Sequence, residues 1–166
     1  MKFHFSNIKY LTWSFIVGIA LFGCAQHKNS AATYAEKNIV EFDVGAQRIQ
    51  AEVVFTPEGR AQGLMYRTQL CPDCGMIFLF PQKGGHCFWS KHTPLPLALA
   101  FVTIDGKITK LANMIAESEA IVCGNEDTVM VLEMNKDWFA AHGFKQGERF
   151  LKKGAIQHML ERYAIE

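Results

Sequence analysis

Clustered charge is the first thing this chain lacks. Lysine and arginine number 17 and aspartate and glutamate 16, and Lys152-Lys153 is the only adjacent basic pair. Phosphate backbones are bound by clustered Lys and Arg, so no nucleic-acid partner is expected. A long apolar run is missing too. Leu11 to Phe22 is apolar apart from Thr12, Ser14 and Gly18, and it falls short of the about 20 residues that a spanning helix needs. No internal repeat is visible, which argues against solenoids and propellers. Cysteine is scarce at five residues, and the Cys71/Cys74 pair has no second close pair to complete a zinc ribbon. Ser90 lies two residues from His92 without a strand-to-helix elbow. Asp73, Asp105 and Glu133 form no recognisable acid–base pair by spacing. Neither a hydrolase nor a bound cofactor is indicated.

What is present begins with an address. Met1 to Tyr10 carries Lys2 and Lys9 and no acid, the short apolar body follows, and Gly23-Cys24 comes at once. These are the parts of a secretory signal over residues 1–23. Leu21-Phe22-Gly23-Cys24 also resembles the lipobox of bacterial lipoproteins, whose cysteine becomes the lipidated first residue after cleavage. Ala25, rather than Asp, resembles the outer-membrane class. The resemblance implies membrane attachment through Cys24, on the periplasmic face of the outer membrane, in an oxidising compartment. Without Lys2 and Lys9, 17 − 2 = 15 basic side chains face 16 acidic ones, an electrostatically bland mature protein.

About half of all residues are apolar, 49%, enough for one domain with a real core. Residues 24–37 are polar and unpatterned, as in a flexible tether. A β-rich domain is expected over 38–152. Val40, Phe42 and Val44 alternate with acids, and Ile49, Ala51, Val53 and Phe55 continue the period of two beyond Gly45, which predicts a hairpin. Thr56-Pro57-Glu58 starts a short helix running to about Met65. Buried strands are expected over Gly75–Phe80, Leu95–Val102 and Thr128–Met134, with shorter extended pieces at Cys87–Ser90, Lys107–Met114, Ile121–Cys123 and Glu148–Leu151. Asn135 is read as the cap of a helix holding Trp138 and Phe139. Ile156, Met159, Leu160 and Tyr163 share one face of a helix in a C-terminal extension, 153–166. The fold class is mostly β, a compact single-domain β-sandwich or barrel-like fold with two or three short α-helices.

Candidate chemistry concentrates between Gly63 and Phe101, which holds three of the five cysteines and two of the six histidines. Arg67, His86, Trp89, Lys91, His92 and Thr93 combine an aromatic face with cations and a hydroxyl, a set suited to a small anionic or sugar-like ligand. Continued as a strand, Trp89, Lys91 and Thr93 would share one face. With Cys24 lipidated, Cys71, Cys74, Cys87 and Cys123 remain, most simply two disulfides with three possible connectivities. Cys71-Pro-Asp-Cys74 also has the spacing of thiol-disulfide oxidoreductases, although no β-α-β context is expected around it. Zinc held by Cys71, Cys74 and Cys87 with His86 or His92 is a weaker alternative.

The segments Gly63-Leu64-Met65-Tyr66-Arg67, Gly75-Met76-Ile77-Phe78, Phe88-Trp89 with Lys91-His92-Thr93, Pro96-Leu97, Phe101 and Val131-Leu132-Glu133 resemble in order the motifs of domain-of-unknown-function family 192. The resemblance spans about Val40 to Phe150. It implies a small, mostly β domain of sandwich type and no established reaction. Ser90 and His92 stand where the family usually has Met and Asn, and Ala98 where Asp is common, so no role is carried to Ser90 or Ala98. Similar envelope members imply the pairing Cys87–Cys123, leaving Cys71–Cys74. The first bridge would close 35 intervening residues and contribute about 3 to 4 kcal/mol. These features together predict a lipid-anchored, non-catalytic module that binds a ligand or an envelope protein, with thiol-disulfide exchange at Cys71/Cys74 as the alternative.

Overall fold

The computed structural model describes residues 38–163. The expected signal segment, the tether and the anchor at Cys24 lie outside the described residues. Strands β1 (Ile39–Val44) and β2 (Gln47–Val54) form the predicted hairpin. Val44 pairs with Gln47 across a two-residue turn in which Gly45 takes φ +59°, a conformation that costs glycine little because it has no Cβ. Helix α1 (Pro57–Gln62) starts as its sequence predicts, with the Thr56 hydroxyl accepting the Gly59 N–H at 3.0 Å. It ends before Met65 because Gly63 turns to φ +48° and donates its N–H back to Gly59 O at 2.9 Å.

Strand β3 (Cys74–Leu79) then runs parallel to β2. A β2-α1-β3 crossover is therefore present, contrary to the expectation from sequence. The Cys71/Cys74 pair sits where the chain enters β3, after the helix and not at its N-terminus. The remaining elements are β4 (Cys87–Phe88), β5 (Leu97–Thr103), β6 (Ile108–Met114), β7 (Val122–Cys123), β8 (Thr128–Asn135), α2 (Trp138–Ala141) and α3 (Ala155–Arg162). Six strands form one sheet in the order β1-β2-β3-β8-β5-β6, and β4 and β7 pair separately as a short ribbon. The domain is mostly β with three short helices, and its main sheet is open rather than closed into a barrel.

Both faces of this sheet are buried. Ile49, Val53, Ile77, Ala100 and Leu132 point to one side, where Trp138 and Phe139 of α2 and Ile156 of α3 cover them. The predicted face of α3, with Met159, Leu160 and Tyr163, packs on the same core. Met76, Phe78, Leu99, Phe101 and Val131 point to the other side, under Leu64, Phe88 and Val122. Alternation along each strand, with apolar residues at both phases, is what a doubly covered sheet requires.

Two local expectations are corrected. Glu148–Leu151 is not a strand. A single bridge joins Lys107 to Arg149, and the Phe150 and Leu151 N–H groups share the Gly106 carbonyl while both side chains enter the core. Left-handed turns at Gly147 and Gly154 keep the segment from extending. Asn135 belongs to β8 and does not cap α2, which follows Asp137 at φ +63°. The Asn135 side-chain amide instead donates to the carbonyl of Cys71 at 2.8 Å.

Disulfides join Cys71 to Cys74 and Cys87 to Cys123, so the cysteines of the zinc alternative are all committed to bridges. Cys87 and Cys123 face each other in the β4–β7 ribbon, which otherwise has only two residues per strand. Replacing both by serine is expected to lower the unfolding free energy by about 3 to 4 kcal/mol, measured by urea denaturation. A loss below about 1 kcal/mol would show that packing alone holds the ribbon.

Candidate functional site

Strand β8 reads Thr-Val-Met-Val-Leu-Glu-Met-Asn, and Glu133 is its one charged residue. Its phase matches that of Val131, so its side chain points into the second core rather than to solvent, and the residue is only 3% exposed. Met76 on β3 and Leu99 on β5 are its cross-strand partners. Neither can donate to a carboxylate, and among the described residues no side chain pairs with Glu133. Burial alone pushes its carboxyl from the ordinary 4.5 up to about 8. Proton retention is the usual response of an acid held in an apolar site. Gly75 lets β3 and β8 approach closely: a Cβ there would lie 2.3 Å from the Glu133 carbonyl oxygen and 2.4 Å from Met134 Sδ.

Glu133 lines a cavity of about 250 Å³ between the sheet, the Arg60–Met65 stretch and β4. Leu64, Phe78, Leu97 and Met114 supply apolar walls, Thr93 a buried hydroxyl, and Trp89, which is 46% exposed, the side toward solvent. Phe88 holds the ribbon in place by packing edge-on against Phe78, with ring centroids 4.9 Å apart. Arg60 of α1 also lines the space, but its Nη1 donates to the carbonyls of Phe55 and Leu79, which fastens α1 to the end of β3.

A family model described as Uncharacterized ACR, DUF192, matches residues 39–151. The chain belongs to the DUF192 family. Similar crystal structures include two bacterial proteins. One is a Sinorhizobium meliloti 1021 protein described provisionally as a transcription regulator, with TM-score 0.63 and 34% identity, covering 68% of this chain and 91% of that one. The other is a protein of unknown function from Novosphingobium aromaticivorans DSM 12444, with TM-score 0.61 and 32% identity, covering 67% and 83%. Comparison with curated proteins returns no match.

The DUF192 segments quoted from the sequence converge on the cavity: Gly63-Leu64-Met65, Phe78, Phe88-Trp89, Thr93, Leu97 and Glu133 all line it. The departures from the family pattern lie off it. Ser90 is buried and structural, its hydroxyl donating to the Ile115 carbonyl and accepting the Ser118 N–H. Ala98 faces the opposite core.

Of the six residues expected to form a ligand patch, Trp89 and Thr93 line this cavity. Lys91 lies beside it, its Nζ 5.3 Å from the Trp89 ring centroid and 2.9 Å from a Glu119 carboxylate oxygen. His86 stacks on Phe80, with ring centroids 3.5 Å apart, and burial lowers its pKa. His92 turns to φ +58° and stacks on Tyr66. Arg67 faces a different cavity and forms a two-pronged ion pair with Glu52 at 2.5 and 2.6 Å. The expected strand alternation from Trp89 to Thr93 is absent because β4 ends at Phe88 and the chain turns at His92. Glu133 was not singled out from sequence as a site residue. The signal was one acid inside an otherwise apolar strand, which its neighbours' spacing alone does not reveal as cavity-lining.

The buried carboxyl gives a pH dependence with a definite sign. Between about 4.5 and 8 the folded state holds a proton that the unfolded chain has released, so the stabilising protonation is complete below the lower value and lost as pH rises through the upper. The decline approaches about 1.4 kcal/mol per pH unit. Urea unfolding at pH 5, 6.5 and 8 is expected to show it in the wild type and a flatter profile in Glu133→Gln. Parallel profiles would show that the carboxyl titrates as if in water.

Proposed function

We propose that this DUF192 protein is a lipid-anchored envelope protein and a non-catalytic binding module, and that its ligand occupies the cavity between Glu133 and Trp89. The buried carboxyl without a protein partner carries this reading. A polar group taken from water is unfavourable unless something hydrogen-bonds it, and here that group opens onto a space that a small molecule can enter. A space of about 250 Å³ lies just under the usual range of small-molecule sites, roughly 300 to 1,000 Å³. It therefore fits a small ligand or one end of a larger one.

Binding is favoured over turnover by the make-up of the walls. Among the described residues, no second carboxyl, imidazole, free thiol or amine lines the cavity. Glu133 would thus work without a complementary acid, base or nucleophile of those kinds. An anionic ligand has little support, because Arg67 and Lys91 are engaged by Glu52 and Glu119. Thiol-disulfide exchange has no observation in its favour: Asp73 of the Cys71–Cys74 turn accepts the Trp138 indole N–H at 3.0 Å, a contact that anchors the turn. The Sinorhizobium relative's provisional description is not carried over to a chain without clustered basic residues.

In a thermal-shift screen of small sugars, amines and organic acids on the full chain, at least one class is expected to raise the wild-type Tm. The shift should vanish in Glu133→Leu and persist in Arg67→Ala. A shift retained by Glu133→Leu, or none with any class, would overturn the reading. Cys24→Ser is expected to move the protein from the membrane fraction to the soluble periplasmic fraction; unchanged partitioning would remove the lipid anchor.

A further inference from the structure

We propose that the Glu133 cavity is a site for a small organic cation, whose ammonium group is met by the Glu133 carboxylate and whose alkyl substituents lie against Trp89 and its apolar neighbours. This inference rests on the binding reading above and adds the chemical class.

The charges around Glu133 decide the class. Strand β3 brings Met76 and Phe78 toward it, β5 brings Leu97 and Leu99, β6 brings Met114, and the chain beyond β4 brings Trp89 and Thr93. None of these carries charge. From α1, Arg60 is, among the described residues, the one other ionisable side chain lining the cavity. Its Nη1 is committed to two backbone carbonyls, and its guanidinium sits 5.1 Å from the Phe80 ring centroid. The nearby Lys91 is held by Glu119. Among the described residues, the buried end of the cavity thus presents a single acid without a counter-ion.

An anion placed there could accept the proton of the neutral carboxyl but would find no free cation to balance it, since Arg60 and Lys91 are engaged. A neutral ligand can hydrogen-bond Glu133 but supplies no counter-charge. A cation supplies it, and a buried charge is tolerated when paired. The walls suit the same guest. Tryptophan is the best aromatic partner for a cation, and aromatic surroundings are the usual way proteins hold quaternary ammonium groups.

Binding also has a proton balance. The protonated carboxyl gives its proton to solvent and the resulting carboxylate pairs with the ligand, so one cation enters and one proton leaves. With the carboxyl titrating at about 8, affinity for a permanent cation should rise about tenfold from pH 7 to pH 9, following the ionised fraction.

The test uses choline and its uncharged isostere 3,3-dimethylbutan-1-ol, with glucose as a neutral polyol, in calorimetric titrations of the full chain. Choline is expected to bind at least tenfold more tightly than the isostere, with the stated rise between pH 7 and 9 and release of a proton seen as a buffer-dependent heat. Glu133→Gln, checked for folding by circular dichroism, should lose choline binding at least tenfold. Trp89→Ala, at a half-exposed position, should weaken it severalfold and leave the proton release intact. Equal affinity for choline and its isostere, or choline binding indifferent to pH and to Glu133→Gln, would overturn the cation. If glucose or the isostere then binds and Glu133→Leu abolishes it, the binding reading stands without the cation. If none of the three compounds binds, the cation is overturned, and the wider screen decides the binding reading separately.

Discussion

Strand β8 has to be buried on both faces, and much of the domain follows from that constraint. It lies between β3 and β5 near the middle of the sheet, with Met130, Leu132 and Met134 on one side and Val131 and Glu133 on the other. A sheet with two apolar faces needs two covers. The chain uses α2, α3 and the Phe150–Leu151 plug for one. For the other it uses α1, the segment around Leu64 and the ribbon of β4 and β7. The second cover is the thinner. The space left beneath it is the cavity, and the phase of β8 places a carboxyl there.

The covalent and polar ties support this arrangement from outside the cavity. Cys87–Cys123 closes the ribbon that carries Phe88 and Trp89, so the wall toward solvent is held by a bond as well as by packing. Arg60 clamps α1 to the ends of β2 and β3 through carbonyls, and Arg67 ties the segment after α1 to Glu52 on β2. Arg67, a ligand contact by its sequence reading, thus serves to position an element, while the ionisable group at the buried wall of the cavity is an acid. A surface pair such as Arg48–Asp43 contributes little by comparison.

Legibility differed by element for physical reasons. The β1–β2 hairpin, the start of α1, the apolar runs of β3, β5 and β8 and the α3 face were readable because alternation, a Thr-Pro cap and helical spacing are local signals. The failures came where a contact distant in sequence overrode a local preference. Phe150 and Leu151 were drawn into the core instead of pairing along a strand, and Asn135 was used by the Cys71 carbonyl instead of by a helix. The parallel pairing of β3 with β2 also has no local mark, since it depends on how the crossover packs. Trp89 and Thr93, which line the cavity, stood out in the sequence by residue type. Arg67 was legible as a cation, but its partner Glu52, fifteen residues earlier, was not.

By itself the sequence determined the domain's β-rich class, the rough span of its core strands by periodicity, and the motif segments that mark the DUF192 family, because these depend on residues close together in the chain. Only the tertiary structure decided that those segments converge on one cavity, that Arg67 and Lys91 are already paired, and that Glu133 stands there without a counter-ion among the described residues. Each of these depends on which side chains long-range strand pairing brings together, and on how much water that packing leaves around a charge.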